Sequence, residues 1–157
     1  GGVVRPEAGP EGQVVAAGED VDAVDLDEAD GGEHQRGIRG APGDMDVAEV
    51  HDASAMGEII QAENLQLVPP GGGGPAAERG EFTLGGRIPI NTSGGLESKG
   101  HPLGATGIGQ LYELVTQLRG EAGARQVPGA RHAIQENGGG FQGIEEAALA
   151  VHILSKT

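Results

Sequence analysis

NTSGGLESKGHPLGATG, residues 91–107, carries glycine at 94, 95, 100, 104 and 107 and a single histidine, His101, set against Pro102. Three readings compete for such a stretch: a flexible linker, a phosphate-binding loop, or a rigid turn that holds one imidazole. A Walker-type phosphate loop needs Gly-x4-Gly-Lys-Ser/Thr, so that the lysine reaches the phosphates and the hydroxyl reaches the metal. Here Lys99 precedes Gly100 and His101 follows, so the spacing fails. GATGIG, residues 104–109, reverses the dinucleotide fingerprint, and no acidic residue closes a second strand about twenty residues later. A linker has no use for proline beside histidine, and it would not run straight into a patterned helix. Pro102 confines His101 to extended backbone angles, while the glycines allow tight turns and close backbone approach. The stretch reads as a strand-to-helix turn that presents an imidazole near a helix N-terminus.

Working outward, a helix is expected from about residue 105 to 119, with Ile108, Leu111, Val115 and Leu118 on one face and Gly120 as its stop. Upstream, MDVAEV (45–50) alternates as a half-buried strand does. His51 closes that strand, and Asp52 is a suitable N-cap for a following helix whose apolar face is Met56, Ile59 and Ile60. VPPGGGGP (68–75) reads as a loop, because proline fixes φ and glycine makes regular structure costly. Residues 87–90 form a short strand candidate, and ARHAIQ (130–135) and AALAVHIL (147–154) read as the last two strands. The final one is apolar throughout, which suits a strand covered on both faces. Helices alternating with strands of this kind imply an α/β layered domain.

Composition narrows the function. The 157 residues suffice for one domain, but aromatics are 2%, so the core must come from Val, Ile, Leu and Ala. A net charge of −14 argues against nucleic acid or anionic membrane as partners, since both demand a basic surface. No apolar run approaches the roughly 18 residues of a membrane span. No secretory pattern stands at the N-terminus, so a cytoplasmic location is expected. The closing Ser155-Lys156-Thr157 approaches a peroxisomal signal without matching it. There is no cysteine, which excludes disulfides, thiolate metal sites and a cysteine nucleophile from these residues. Metal ligation finds no Cys, HExxH or clustered Asp/His to support it, so none is expected. Residues 1–46 hold twelve acids against three Arg, and residues 1–43 hold ten glycines and no aromatic residue. That leading segment, 1–43, stays unassigned, either a disordered acidic tail or a stretch read in the wrong frame; the domain is expected over 44–157. His34 falls in the unassigned segment, and His132 and His152 fall in strand candidates and are read as structural. Glu145 and Glu146 are adjacent and point to opposite faces of a strand, so they make no paired-carboxylate site.

The residues around His101 carry a resemblance. Gly100-His101-Pro102-Leu103-Gly104-Ala105-Thr106-Gly107 matches in full the Gly-His-Pro-x-Gly-Ala-Thr-Gly motif of the thiolases. His51-Asp52-Ala53-Ser54 resembles their His-Asp-x-Phe motif, with Ser54 in place of Phe. QLRGEAGARQVPGA (117–130) and the ending QENGGG…AVHIL are similar to the lipid-transfer-protein, or sterol-carrier-protein-x, branch. The likeness spans about 44–157.

The resemblance implies a thiolase-like C-terminal domain, with layered helices on a mixed five-stranded sheet that is incomplete here. It implies acyl transfer between coenzyme A thioesters, the substrate being the thioester itself with no separate cofactor. His101 would activate a cysteine supplied by the N-terminal half, an imidazole suiting proton exchange near neutrality, and His51 would help form an oxyanion site. Gly100, Gly104, Asn137, Gly138 and Gly139 would line the substrate. The second cysteine of degradative and biosynthetic thiolases has no counterpart, since Asn137-Gly138-Gly139-Gly140 occupies its region; a second catalytic base is left unassigned. The expectation is therefore half of a thiolase-like acyltransferase, inactive until joined by the cysteine-bearing half or a separate subunit, and homo-oligomeric in the intact family. The alternative is a non-catalytic scaffold or acyl-CoA-binding module.

Overall fold

The computed structural model describes residues 21–23, 41–142 and 145–156. Among them four strands form one mixed sheet in the order β1-β4-β3-β2, with β1 at Val21–Ala23, β2 at Val47–Glu49, β3 at His132–Gln142 and β4 at Glu145–Lys156. β3 and β4 pair antiparallel, setting His132 opposite Ser155 and Asn137 opposite Ala150. β2 lies parallel to β3, with Val47 opposite Ala133, and β1 runs antiparallel to the end of β4. Ile90 adds one parallel bridge to Ala48, so the strand expected at 87–90 amounts to a single paired residue. Of the five strands expected, four lie among the described residues, and the sheet is partial. Most of the segment 1–43 lies outside the described residues. Its described part is β1 together with residues 41–43, which open the short 3-10 turn Pro42–Asp44.

Four helices follow in the chain: α1 at Ala55–Asn64, α2 at Gly73–Glu78, α3 at Gly95–Lys99 and α4 at Thr106–Arg119. Successive strand residues point to opposite faces, and the sheet accordingly divides two cores. On one face Ala48, Ile134 and Ile153 meet Ala62 of α1, Ala76 of α2, Phe82 and Ile88. On the other, Val47, Ala133 and Leu154 meet Leu114 and Leu118 of α4. The expected α/β layering is what forms.

Several local expectations change. Ser54, not Asp52, caps α1, its Oγ accepting from Gly57 N at 3.1 Å. The glycine-proline stretch 68–75 is not all loop, because α2 starts at Gly73. Pro75 falls in its first turn, where the missing N–H is harmless. The Glu63 carboxylate accepts from Gly71 N and Gly73 N, each at 2.9 Å, which holds it below the usual carboxylate range. Gly73 must be glycine for α2 to dock, since a Cβ there would lie 2.7 Å from Ile59 Cγ2.

The apolar faces assigned to α1 and α4 are also displaced. Met56 is 62% exposed and Ile60 is 47% exposed, while Ala62 is the buried residue of α1. In α4, Leu118 is buried as expected but Ile108 is 71% exposed. The side of α4 turned to the sheet contains Gln110, Glu113, Leu114 and Gln117. Periodicity of apolar residues misplaces it because the glutamines have their amides satisfied and behave as core. Gln117 Nε2 lies within hydrogen-bond reach of Arg125 O (2.8 Å), Glu113 Oε1 (3.0 Å) and Thr92 Oγ1 (3.2 Å), and its Oε1 accepts from Val127 N at 2.8 Å. Gly120, with φ +78°, ends α4 in the left-handed cap expected of it. In β4 the expected burial on both faces holds for Ile153 and Leu154, whereas residues 147–150 are exposed.

Candidate functional site

The stretch 91–107 is more than a turn: it contains the one-turn helix α3 between two glycine hinges, Gly94 at φ +99° and Gly100 at φ +89°. Buried polar groups from β2 and the residues after it hold this segment. Glu49 is fully buried and accepts from Ser93 N at 2.9 Å and Ser93 Oγ at 2.6 Å, with Lys99 Nζ 3.5 Å from its second oxygen. Burial outweighs these partners and raises the Glu49 carboxyl above its ordinary pKa. Asp52 Oδ1 accepts from Leu96 N at 2.7 Å, so this aspartate anchors α3 instead of starting α1. Its carboxylate lies so close to the backbone that a Cβ on Gly95 would come within 2.0 Å of Oδ2. Asn91 is left-handed, at φ +54°. Its Oδ1 accepts from Val50 N at 2.9 Å and its Nδ2 donates to Glu58 Oε2 at 3.0 Å.

This scaffold delivers His101 beside His51. Their ring centroids lie 4.9 Å apart with the planes at 71°, an edge-to-face arrangement. His51 is itself fixed by its backbone N–H, which donates to Glu136 Oε2 at 3.0 Å. His101 Nδ1 lies 2.7 Å from Thr106 Oγ1, and Thr106 Oγ1 lies 3.2 Å from Pro102 O. The Thr106 hydroxyl contacts both atoms, and with its proton assigned to Pro102 O it accepts from His101 Nδ1–H. That assignment leaves the lone pair on Nε2 and makes the ring a base at that atom.

Both imidazoles line a cleft of about 820 Å³. The start of α1, the His101 loop, the first turns of α4 and the sheet end at Asn137–Gly140 enclose it. Of the residues expected to line a substrate, Gly104, Asn137, Gly138 and Gly139 are in this wall, while Gly100 is not and acts as a hinge. Asn137 Oδ1 and His51 Nδ1 are buried without a hydrogen-bond partner among the described residues. Gly107 of α4 faces Asn137, and a Cβ there would meet Asn137 Cγ at 3.4 Å, in van der Waals contact.

Sequence reasoning took His152 for a structural residue, yet it belongs to the cleft wall. It shares a face of β4 with Ala150, the partner of Asn137 in the pairing register, and period-two alternation alone would have flagged it. His132 does stay structural, with Nδ1 2.8 Å from Ser155 Oγ. His34 lies outside the described residues. The buried carboxylates and amides that hold the loop (Glu49, Asp52, Asn91) were not predicted in that role, because nothing in their spacing announces a long-range partner. Among the described residues no helix is long and apolar enough to cross a membrane.

Known proteins are similar to this chain in sequence and in fold. Bovine sterol carrier protein 2 is 58% identical over 96 residues, covering 61% of this chain and 18% of that protein. The acetyl-CoA acetyltransferase of Methanothermobacter thermautotrophicus is 51% identical over 115 residues, covering 73% of this chain and 29% of the enzyme. The chain thus spans less than a third of either relative. A solved structure described as an Ltp2-ChsH2(DUF35) aldolase superposes with a TM-score of 0.64 over 78% of this chain and 29% of that one; at 24% identity it supports the fold alone. The family model for the thiolase C-terminal domain-like group matches residues 35–156, starting nine residues before the boundary read from composition, and on that match the chain belongs to the thiolase C-terminal domain-like family.

Proposed function

We propose that the chain is the C-terminal half of an acyl-CoA acyltransferase of thiolase type, completed by a cysteine-bearing half on the same or another polypeptide. The observation that carries this reading is the His101–Thr106–Pro102 relay, which leaves Nε2 of His101 as a fixed base at a cleft. In the proposed reaction Nε2 takes the proton of the incoming thiol. The thiolate attacks the thioester carbonyl, and charge develops on its oxygen. His51, edge-on to His101, and the polar end of Asn137 are the groups assigned to that oxygen, where a single hydrogen-bond donor is commonly worth about 10²–10³ in rate. The acyl-CoA is substrate, and the cleft between α1 and α4 would take its acyl part.

A second reading, a non-catalytic acyl-CoA-binding module, is favoured by the absence of cysteine from all 157 residues. Co-expression with a cysteine-bearing thiolase half and assay of acetoacetyl-CoA thiolysis separates the two. The enzyme reading expects turnover by the pair, none by the chain alone, and loss of turnover in His101→Ala. Tight acyl-CoA binding with no turnover in any such pair would favour the module.

A further inference from the structure

Carbon–carbon bond formation between two thioesters needs two proton transfers, one at the attacking sulfur and one at the α-carbon of the second thioester. His101 answers the first. We propose that His152 answers the second, as a general base in the same cleft; this rests on the acyltransferase reading above.

The case begins with a chain of side-chain amides. Gln110 Nε2 donates to the Glu136 carbonyl at 3.0 Å, and Gln135 Nε2 donates to Gln110 Oε1 at 2.7 Å. Both glutamines are buried. The chain ends on a backbone carbonyl that can only accept, so each amide has one orientation, and Gln135 Oε1 is the atom left to face His152. His152 Nδ1 lies 2.5 Å from that oxygen and must carry its proton there. The remaining lone pair sits on Nε2. His101 obtains the same tautomer by a separate relay, so the cleft contains two imidazoles each with Nδ1 tied back and Nε2 left basic. The register puts His152 two residues along β4 from the partner of Asn137, a diagonal neighbour at about 7–8 Å between Cα atoms. A histidine needed only to satisfy Gln135 would not have to open onto the cleft beside Asn137 and Gly107.

The step balances as follows. Nε2 of His152 takes the proton from C2 of the donor thioester, and the C–H electron pair becomes the enolate. The enolate carbon attacks the acyl carbonyl held on the partner half's cysteine, the new C–C bond forms, and the C–S bond breaks. The departing sulfur takes the proton held by His101. His152 releases its proton to solvent once the product has left, and the coenzyme A thiolate expelled during acylation takes a proton from solvent, which restores both imidazoles.

Two measurements test the assignment. In the ¹⁵N-histidine-labelled chain above the imidazole pKa range, His152 should show protonated Nδ1 and unprotonated Nε2; the opposite tautomer overturns the proposal. In the complex with a cysteine-bearing half, His152→Asn keeps a donor for Gln135 and removes Nε2, and His152→Gln is a second variant should the first lower the melting temperature. Exchange of the C2 protons of acetyl-CoA with D2O, and condensation, should both fall about 10²–10⁴-fold, with acylation of the cysteine by acyl-CoA unchanged. Acylation retained with C2 exchange undiminished in a folded variant overturns this proposal alone. A wild-type pair whose cysteine is never acylated overturns the acyltransferase reading with it.

Discussion

At the scale of single residues, the site depends on carboxylates that differ sharply in how they are held. Glu49 and Glu58 are raised chiefly by burial. Burial would raise Glu113 too, but hydrogen bonds from Arg125, Gln117 and Thr92 overcome it and hold it below the ordinary 4.5. A carboxyl with a lowered folded pKa binds fewer protons folded than unfolded. Its stabilisation is therefore full above about 4.5 and disappears as the pH falls through the lower folded value. Glu113→Gln should cost roughly 1 kcal/mol at pH 7, a modest figure because the Arg125 partner is half exposed. In urea titrations the gap to the parent chain should narrow as the pH falls below about 4.5; a gap independent of pH would count against the ion pair as its source. His101 and its frame of Pro102 and glycines were legible from sequence because proline and glycine act on their own backbone. Asp52 was misread as a helix cap because its true partner, Leu96 N, lies 44 positions away.

At the scale of elements, binary patterning located β2, the start of β3 and the buried end of β4, missed β1 and the part of β3 beyond Gln135, and misplaced the helix faces. The start of β3 and the buried end of β4 follow from their apolar residues, and the left-handed Gly120 ends α4 where glycine allows it. The stripe on α4 was displaced because Gln110 and Gln117 occupy core positions, and a hydrophobicity pattern scores a satisfied amide as surface. α2 was hidden within a glycine-proline run because its start depends on Glu63 of α1, an element away. Gln117 ties α4 to the segment leading into β3 through Arg125 O and Val127 N. Gln117→Leu would leave these groups and Thr92 short of partners, at about 1–3 kcal/mol for each buried group stranded. We expect a loss of at least about 2 kcal/mol by thermal or urea unfolding.

At the scale of the molecule, apolar surface is unevenly covered. Leu103 is 85% exposed and Ile108 71% exposed at the rim of the cleft, and Tyr112 of α4 is 72% exposed. Such a patch favours association, so sedimentation of the isolated chain should show concentration-dependent self-association, reduced in Leu103→Glu/Tyr112→Lys. A single monomeric species at all concentrations would sink this expectation. The partial sheet was expected from the family resemblance, whereas which strands pair was visible only in the structure.

The parallel pairing of β2 with β3 also sets the order in which the chain can mature. His51 meets Glu136 from 85 positions away in the chain, and no turn brings β2 to its neighbour in the sheet. Closing so long a loop is entropically slow. During synthesis β2 and the histidine after it would wait for their sheet partner until β3 has left the ribosome. The sheet side of the cleft is thus completed last, although the glycine-histidine motif is made midway; on the proposed function, a nascent chain stopped before β3 should bind no acyl-CoA.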